Sequence, residues 1–122
     1  MNANEGLIKT YEAGGTINEY RIVKFGTADR AALQASASTD KFIGVAGLPK
    51  GATASSGDSI DVIKSGIADV IYGDTVAVGD YLTSDAQGRA VVATVGDNVI
   101  GTAELSGVLG DLGAVHIQKS SI

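Results

Sequence analysis

The amino-acid sequence predicts an all-β protein, a small β-barrel or jelly-roll-like sandwich built from two similar tandem halves. The chain has 17 glycines and one proline, and glycine at this density weakens helices and supplies tight turns between short strands. Runs rich in β-branched and aromatic residues recur about every ten residues, a spacing typical of sandwiches and barrels. One seven-residue motif also occurs twice, which indicates an internal duplication.

The composition limits the classes of function that the chain can have. Its 122 residues, 44% of them apolar, fit one globular domain. No apolar run approaches the roughly 20 residues of a membrane span, and we expect no secretory signal before the first strand. The 14 acidic residues exceed the 9 basic ones, which disfavours nucleic-acid binding because phosphate contacts need a basic face. The absence of cysteine excludes disulfides and thiolate sites and suits assembly in a reducing cytoplasm.

The first half of the chain contains five candidate strands. Each is β-rich or apolar and is followed by glycine or by small polar residues. The candidates are residues 7–11, 20–25, 31–37, 42–46 and 59–64. The run over 31–37 is rich in alanine and serine, so a short helix over 29–37 is an alternative there.

The second half repeats this alternation of short strands and turns. Residues 67–72 follow 59–64 after Ser65-Gly66, and two β-rich runs joined by two such residues predict a hairpin. Further candidate strands are residues 75–78, 81–83, 89–94, 99–103 and 114–118.

The repeated motif defines the expected domain organisation. Asp40-Lys41-Phe42-Ile43-Gly44-Val45-Ala46 resembles Asp97-Asn98-Val99-Ile100-Gly101-Thr102-Ala103. We therefore expect residues 1–19 to form an N-terminal arm and first strand, and 20–122 to form a single β-domain. Within that domain the two halves are expected at about 20–65 and 80–120, with Ile43 and Ile100 both buried.

Five Gly-Asp pairs precede apolar runs, and they have two possible explanations. Glycine provides positive φ and aspartate caps the backbone locally, which predicts turns. Calcium loops are the alternative, but they place several oxygen ligands within a few residues, whereas these aspartates stand mostly singly. The pairs are Gly57-Asp58, Gly73-Asp74, Gly79-Asp80, Gly96-Asp97 and Gly110-Asp111.

The sequence contains no pattern of catalytic, cofactor-binding or metal-ligating residues, so we expect a protein that is not an enzyme. The one histidine, His116, has no nearby nucleophile or ligand pattern that would form a triad or a zinc site. No phosphate-binding loop follows Gly14-Gly15. The segment 72–82 resembles part of biotinyl and lipoyl carrier domains, yet no lysine follows it until Lys119, so the residue that would carry the cofactor is missing.

The order of motifs along the chain resembles the capsid cement, or head decoration, proteins of tailed bacteriophages and prophages. Examples are Gly79-Asp80-Tyr81-Leu82 and Gly88-Arg89-Ala90. The full set comprises residues 8–15, 20–26, 42–45, 64–70, 72–74, 79–85, 88–90, 99–101 and 110–111. The resemblance spans nearly the whole chain, from 7 to 118.

The resemblance implies a structural protein of the virion, made in the host cytoplasm and placed on the outer capsid surface. It implies two partners, the major capsid protein and other copies of the same chain in a dimer or trimer, and no cofactor, nucleic acid or membrane. Leu7, Ile8 and Tyr11 are the residues expected at the capsid or subunit contact. They either form an arm that adds a strand to a neighbour or form an edge strand of their own barrel. The competing function is an intracellular carrier-like or ligand-binding β-barrel without catalytic activity.

Overall fold

The computed structural model describes residues 6–122, and all regular secondary structure in that range is β-strand. The predicted all-β class is therefore confirmed, in its barrel form. The strands are β1 (Ile8–Ala13), β2 (Ile17–Asn18), β3 (Ile22–Phe25), β4 (Ala31–Gln34), β5 (Phe42–Ala46), β6 (Thr53–Ala54), β7 (Ser59–Ile63), β8 (Gly66–Ile71), β9 (Tyr81–Ser84), β10 (Ala90–Val92), β11 (Asn98–Ala103) and β12 (Leu112–Ser121).

The first five-stranded sheet closes into a barrel with the order β1-β4-β3-β5-β7. Closure depends on β1, which pairs antiparallel with β7 and parallel with β4. Alternation explains why these segments are strands: in β7, Ile60 and Val62 are buried while Ser59 and Asp61 are exposed. The strands β2 and β6 form a separate two-stranded sheet.

The second five-stranded sheet has the order β10-β9-β11-β12-β8. The closed first sheet, read around the barrel from β4, has the order β4-β3-β5-β7-β1, and replacing each strand by its counterpart gives the second order. The counterparts are β1 and β8, β3 and β9, β4 and β10, β5 and β11, and β7 and β12. The parallel contact that closes the first barrel, Ala13 with Ala32, has its counterpart in a parallel bridge between Tyr72 and Ala90. We call residues 8–63 unit one and residues 66–121 unit two.

Equivalent hydrogen bonds support this correspondence residue by residue. The Gly57 amide donates to the Ala13 carbonyl at 2.8 Å, and the Gly110 amide donates to the Tyr72 carbonyl at 2.8 Å. The antiparallel pair of Ile17 with Ala54 in β2 and β6 likewise corresponds to the bridge between Val76 and Gly107. These pairs give the residue correspondence between the two units that is used below.

The units start earlier than the halves expected at 20–65 and 80–120, because β1 and β8 each pair within their own unit. Residues 59–64 and 67–72 do not form the predicted hairpin, which was wrong. β7 pairs with β1 and β5, whereas β8 pairs with β12. A turn at Gly66, where φ is +84°, passes the chain from one sheet to the other.

The short helix considered over 29–37 is absent, and β4 takes its place. β4 pairs with β3 on one side and with β1 on the other, so ladders on both sides fix an extended backbone. The candidate strand at 75–78 is limited to the single bridge at Val76.

Two cores are packed against each other, and β5 belongs to both. We call the closed barrel of unit one barrel one. Ile43 and Ala46 point into the core inside barrel one, whereas Phe42 and Val45 point into the core that contains the apolar residues of unit two. Every residue of β5 is buried for this reason. As expected, Ile43 and its counterpart Ile100 are both fully buried.

Four of the five Gly-Asp pairs form the same turn. The glycine has positive φ, between 88° and 97°, and the aspartate carboxylate accepts a hydrogen bond from the amide three residues earlier at 2.8 to 2.9 Å. The four aspartates are Asp58, Asp80, Asp97 and Asp111. Their carboxylates cap their own turns, as the turn interpretation requires.

Candidate functional site

Two of the residues predicted at the contact surface, Ile8 and Tyr11, lie on β1, and Leu7 directly precedes that strand. Tyr11 is 4% exposed, and it belongs to the core inside barrel one. Leu7 and Ile8 are 59% and 41% exposed, so they can contact another molecule. Of the two alternatives left by the sequence, the described residues favour a strand of their own barrel over an arm. This strand is not at an edge, because β1 pairs with β7 on one side and with β4 on the other. Residues 1–5 of the predicted arm lie outside the described range.

Three lysines surround this end of β1. The Lys9 and Lys64 ammonium groups lie 5.4 and 5.6 Å from the centroid of the Tyr11 ring, within the range of a cation–π contact. The Lys119 ammonium donates to the Ile43 carbonyl at 3.0 Å. Partial burial, together with the neighbouring charge of Lys64, lowers the pKa of Lys119.

These lysines have no carboxylate partner among residues 6–122. The ion pairs in that range join Lys24 to Asp40 and Arg89 to Asp85. The Lys64 amide donates to the Leu7 carbonyl at 2.7 Å, which places Leu7 beside the lysines. We call the surface formed by Leu7, Lys9, Lys64 and Lys119 the lysine edge.

A second surface, which the sequence did not reveal, lies on unit two. Five large apolar side chains are exposed on two adjacent segments, 74–80 and 104–112. They are Val78, Leu105, Val108, Leu109 and Leu112. Reciprocal hydrogen bonds between Val76 and Gly107, at 2.8 and 3.0 Å, join the two segments, and the Val78 amide donates to Ser106 Oγ at 3.2 Å. We call this surface the apolar end.

The same positions in unit one are polar. The residue correspondence places Glu19 opposite Val78, and places serines opposite Val108, Leu109 and Leu112. Those serines are Ser55, Ser56 and Ser59, all of them exposed. Because unit one folds with serines at these positions, the fold itself does not require apolar residues there.

Charge is divided unequally between the two units. Residues 6–65 contain six acidic and seven basic side chains, whereas residues 66–122 contain seven acidic and two basic ones. Four of these acids lie within the segments that form the apolar end: Asp74, Asp80, Glu104 and Asp111. The change in charge coincides with the boundary between the two units, and the fold supplies that boundary.

The described residues do not bring the potential metal ligands of the chain together. Among residues 6–122 no three His, Cys, Asp or Glu side chains are grouped closely enough to hold a metal ion. His116 lies in the middle of β12, opposite Thr102 on one side and Ile67 on the other.

The turn between β9 and β10, where a carrier domain resembling segment 72–82 would present its lysine, is built around Asp85. The Asp85 carboxylate accepts from the amides of Gln87 and Arg89 at 2.8 and 2.9 Å. It also accepts from Arg89 Nε at 2.7 Å. The turn holds no lysine.

Between residues 6 and 122 no helix is long and apolar enough to cross a bilayer.

This fold, a closed barrel packed against a second five-stranded sheet, is similar to that of a known phage protein. The crystal structure of the N base of head fibre gp8.5 in bacteriophage phi29 matches with a TM-score of 0.69 and 24% sequence identity. The match covers 95% of this chain and 97% of that chain. It shows that both chains have the same fold over nearly their full lengths. No protein-family model and no curated protein matches the sequence.

Proposed function

We propose that this chain is a structural protein of a tailed-phage head, a decoration or cement protein that binds the outer surface of the assembled capsid and stabilises it. The observation that carries the proposal is the likeness, over 95% of this chain, to the N base of a phage head fibre. The motif order along the sequence supports the same assignment independently. The major capsid protein is the proposed partner, and synthesis in the host cytoplasm precedes attachment.

Such a protein works by binding and not by chemistry. A ligand that binds only the assembled shell stabilises it by its binding free energy, and this contribution is repeated for every occupied site. If several copies act as one oligomer, avidity strengthens weak individual contacts. The exposed apolar and charged surfaces of the chain provide the means of contact, since the interior of barrel one is filled by its own side chains.

The alternative of a ligand-binding or carrier-like barrel gains no support from the interior of the fold. Ile17, Val23, Ile43 and Val62 are fully buried and fill the core of barrel one. A carrier would also need a lysine in the turn between β9 and β10, where Asp85 and Arg89 form an ion pair. An intact mass spectrum after expression tests this alternative, since a carrier would show a covalent adduct on lysine.

The test of the proposed function is binding to heads of the phage that encodes this chain, prepared without the protein. Purified protein is added to assembled heads and, as the matched control, to unassembled capsid subunits, and the mixtures are sedimented. We expect saturable co-sedimentation with the heads and none with the subunits. Protein that stays in the supernatant at micromolar concentration would contradict the proposal.

A further inference from the structure

We propose that copies of this chain bind one another head to tail, the lysine edge of one copy resting on the apolar end of the next. This goes beyond the proposed function, because it concerns contacts between copies and not contacts with the capsid.

The apolar end has the character of a binding surface. Its side chains Val78, Leu109 and Leu112 are about half or more exposed. Grouped exposed apolar residues mark interaction sites, whereas single ones need no explanation. The equivalent positions of unit one hold a glutamate and three serines. The same surface is therefore polar in unit one and apolar in unit two. Only the apolar surface of unit two gains from being covered by a partner.

The charges around the apolar end determine what that partner looks like. The carboxylates of Asp74, Asp80, Glu104 and Asp111 share its two segments. Arg89, the one lysine or arginine between residues 74 and 111, is paired with Asp85. Two apolar ends placed face to face would bring like charges together, which is costly at an interface. The partner surface must instead combine apolar side chains with positive charge.

The lysine edge of the same chain has this composition. Leu7 is exposed there, beside the ammonium groups of Lys9, Lys64 and Lys119. None of these ammonium groups lies within ion-pair distance of a carboxylate among residues 6–122. A contact between two different surfaces of identical chains is heterologous, and it produces a closed ring or an open filament.

The test compares the wild type, two surface variants and two controls by sedimentation velocity. One variant carries V108S, L109S and L112S, which installs the serines of unit one, and the other carries L7S and K9E. The controls are V95S, at the most exposed apolar side chain, and K50E, at an exposed loop lysine. Circular dichroism verifies folding, and L109S alone replaces the triple variant if the triple variant unfolds.

We expect the wild type and both controls to form oligomers. Each surface variant should be monomeric, with a dissociation constant raised at least about tenfold. An equimolar mixture of the two variants should form a dimer, because the pair retains one intact lysine edge and one intact apolar end. About 0.5 M salt should weaken the wild-type association.

Three results would overturn the head-to-tail contact: a monomeric wild type at about 100 μM, surface variants that keep the wild-type mass, or a mixture that stays monomeric. Binding of each variant to phage heads is measured separately by co-sedimentation, so loss of self-association and loss of head binding are distinguishable.

Discussion

Tyr72 and Ala13 occupy equivalent positions in the two units. The large side chain, Tyr72, has small neighbours, and the small one, Ala13, has larger neighbours. In unit two, the Tyr72 ring lies over Gly113 and Gly107, where an added Cβ would come within 2.1 and 2.7 Å of ring atoms. In unit one, the same two positions hold the larger Ile60 and Ala54 around Ala13. Close packing explains the exchange, because each large side chain requires small neighbours.

Replacing Tyr72 with alanine should lower the free energy of unfolding by about 3–5 kcal/mol, as for other buried aromatic residues. The ring is fully buried, and its hydroxyl donates to the Leu105 carbonyl at 2.7 Å. Adding G107A and G113I, which installs the unit-one arrangement, should recover part of this loss. Urea denaturation measures both changes. An equal loss in the triple variant would show that the two cores are not interchangeable.

Arg30 has a left-handed backbone, with φ at 61°, where its counterpart in unit two is Gly88 with φ at 75°. A side chain in this region costs about 1–2 kcal/mol, while glycine gains chain entropy on unfolding. Because Arg30 is exposed, R30G should raise the free energy of unfolding by about 0.5–1 kcal/mol in thermal denaturation. The control is K50G in an exposed loop, where no such gain is expected. A destabilised R30G would contradict this account.

Asp40 and Asp97 make the protein sensitive to acid. Partial burial raises the pKa of Asp40, but the amides of Ser36 and Ala37 and the Lys24 ammonium together bring it below its ordinary value. The Thr94 amide and the Ser38 hydroxyl lower the pKa of Asp97. The resulting stabilisation is present above the unfolded value of about 3.9 and is lost as pH falls through the lower folded values.

The melting temperature of the wild type should therefore fall between pH 5 and pH 2 more steeply than that of D40N/D97N. Asparagine keeps an acceptor oxygen for the turn but does not titrate, so this part of the pH dependence disappears. Calorimetry across the pH range measures the difference, and parallel curves would show that these carboxylates are not responsible.

At the scale of elements, the repeated motif predicted the positions of β5 and β11 because its glycine has a geometric role in both. A Cβ at Gly44 would lie 1.9 Å from the Ile63 carbonyl oxygen, and one at Gly101 would lie 2.0 Å from that of His116. Only glycine permits this approach of neighbouring backbones. Comparing the two halves of the sequence detects this requirement, because the close backbone approach demands glycine at the same place in both motifs.

The hairpin at Ser65-Gly66 could not be excluded from sequence, because strand pairing depends on distant segments. β7 pairs with β1 and β5, which precede it in the chain, and β8 pairs with β12 near the end of the chain. Neither strand pairs with the other across Ser65-Gly66. The apolar end was also not predictable, since whether an apolar turn residue is covered depends on what packs over it.

Deleting residues 1–11 should unfold unit one, because it removes four of the five register positions through which β1 pairs with β7. The deletion also removes Tyr11 from the core of barrel one. We expect loss of the β-sheet circular dichroism signal and of cooperative melting. Deletion of residues 1–5 alone is the control and should leave both intact. A folded deletion of 1–11 would show that β1 is dispensable.

At the scale of the whole molecule, the two units share a core, so neither is an independent domain. Ile22, Phe42 and Val45 of unit one pack in the same cluster as Val70, Leu82 and Ile100 of unit two. The duplicated fold leaves each unit free to vary its surface on a common frame. Unit two has more acidic and more exposed apolar side chains than unit one, and unit one has more basic side chains.

The central claim, that the protein stabilises a phage head, is tested most directly by heating. Heads prepared without the protein are warmed with and without it, and the temperature of DNA release is recorded. We expect added protein to raise that temperature in a saturable way, since binding to the assembled shell alone stabilises it. An unchanged release temperature at saturating protein would contradict the stabilising role.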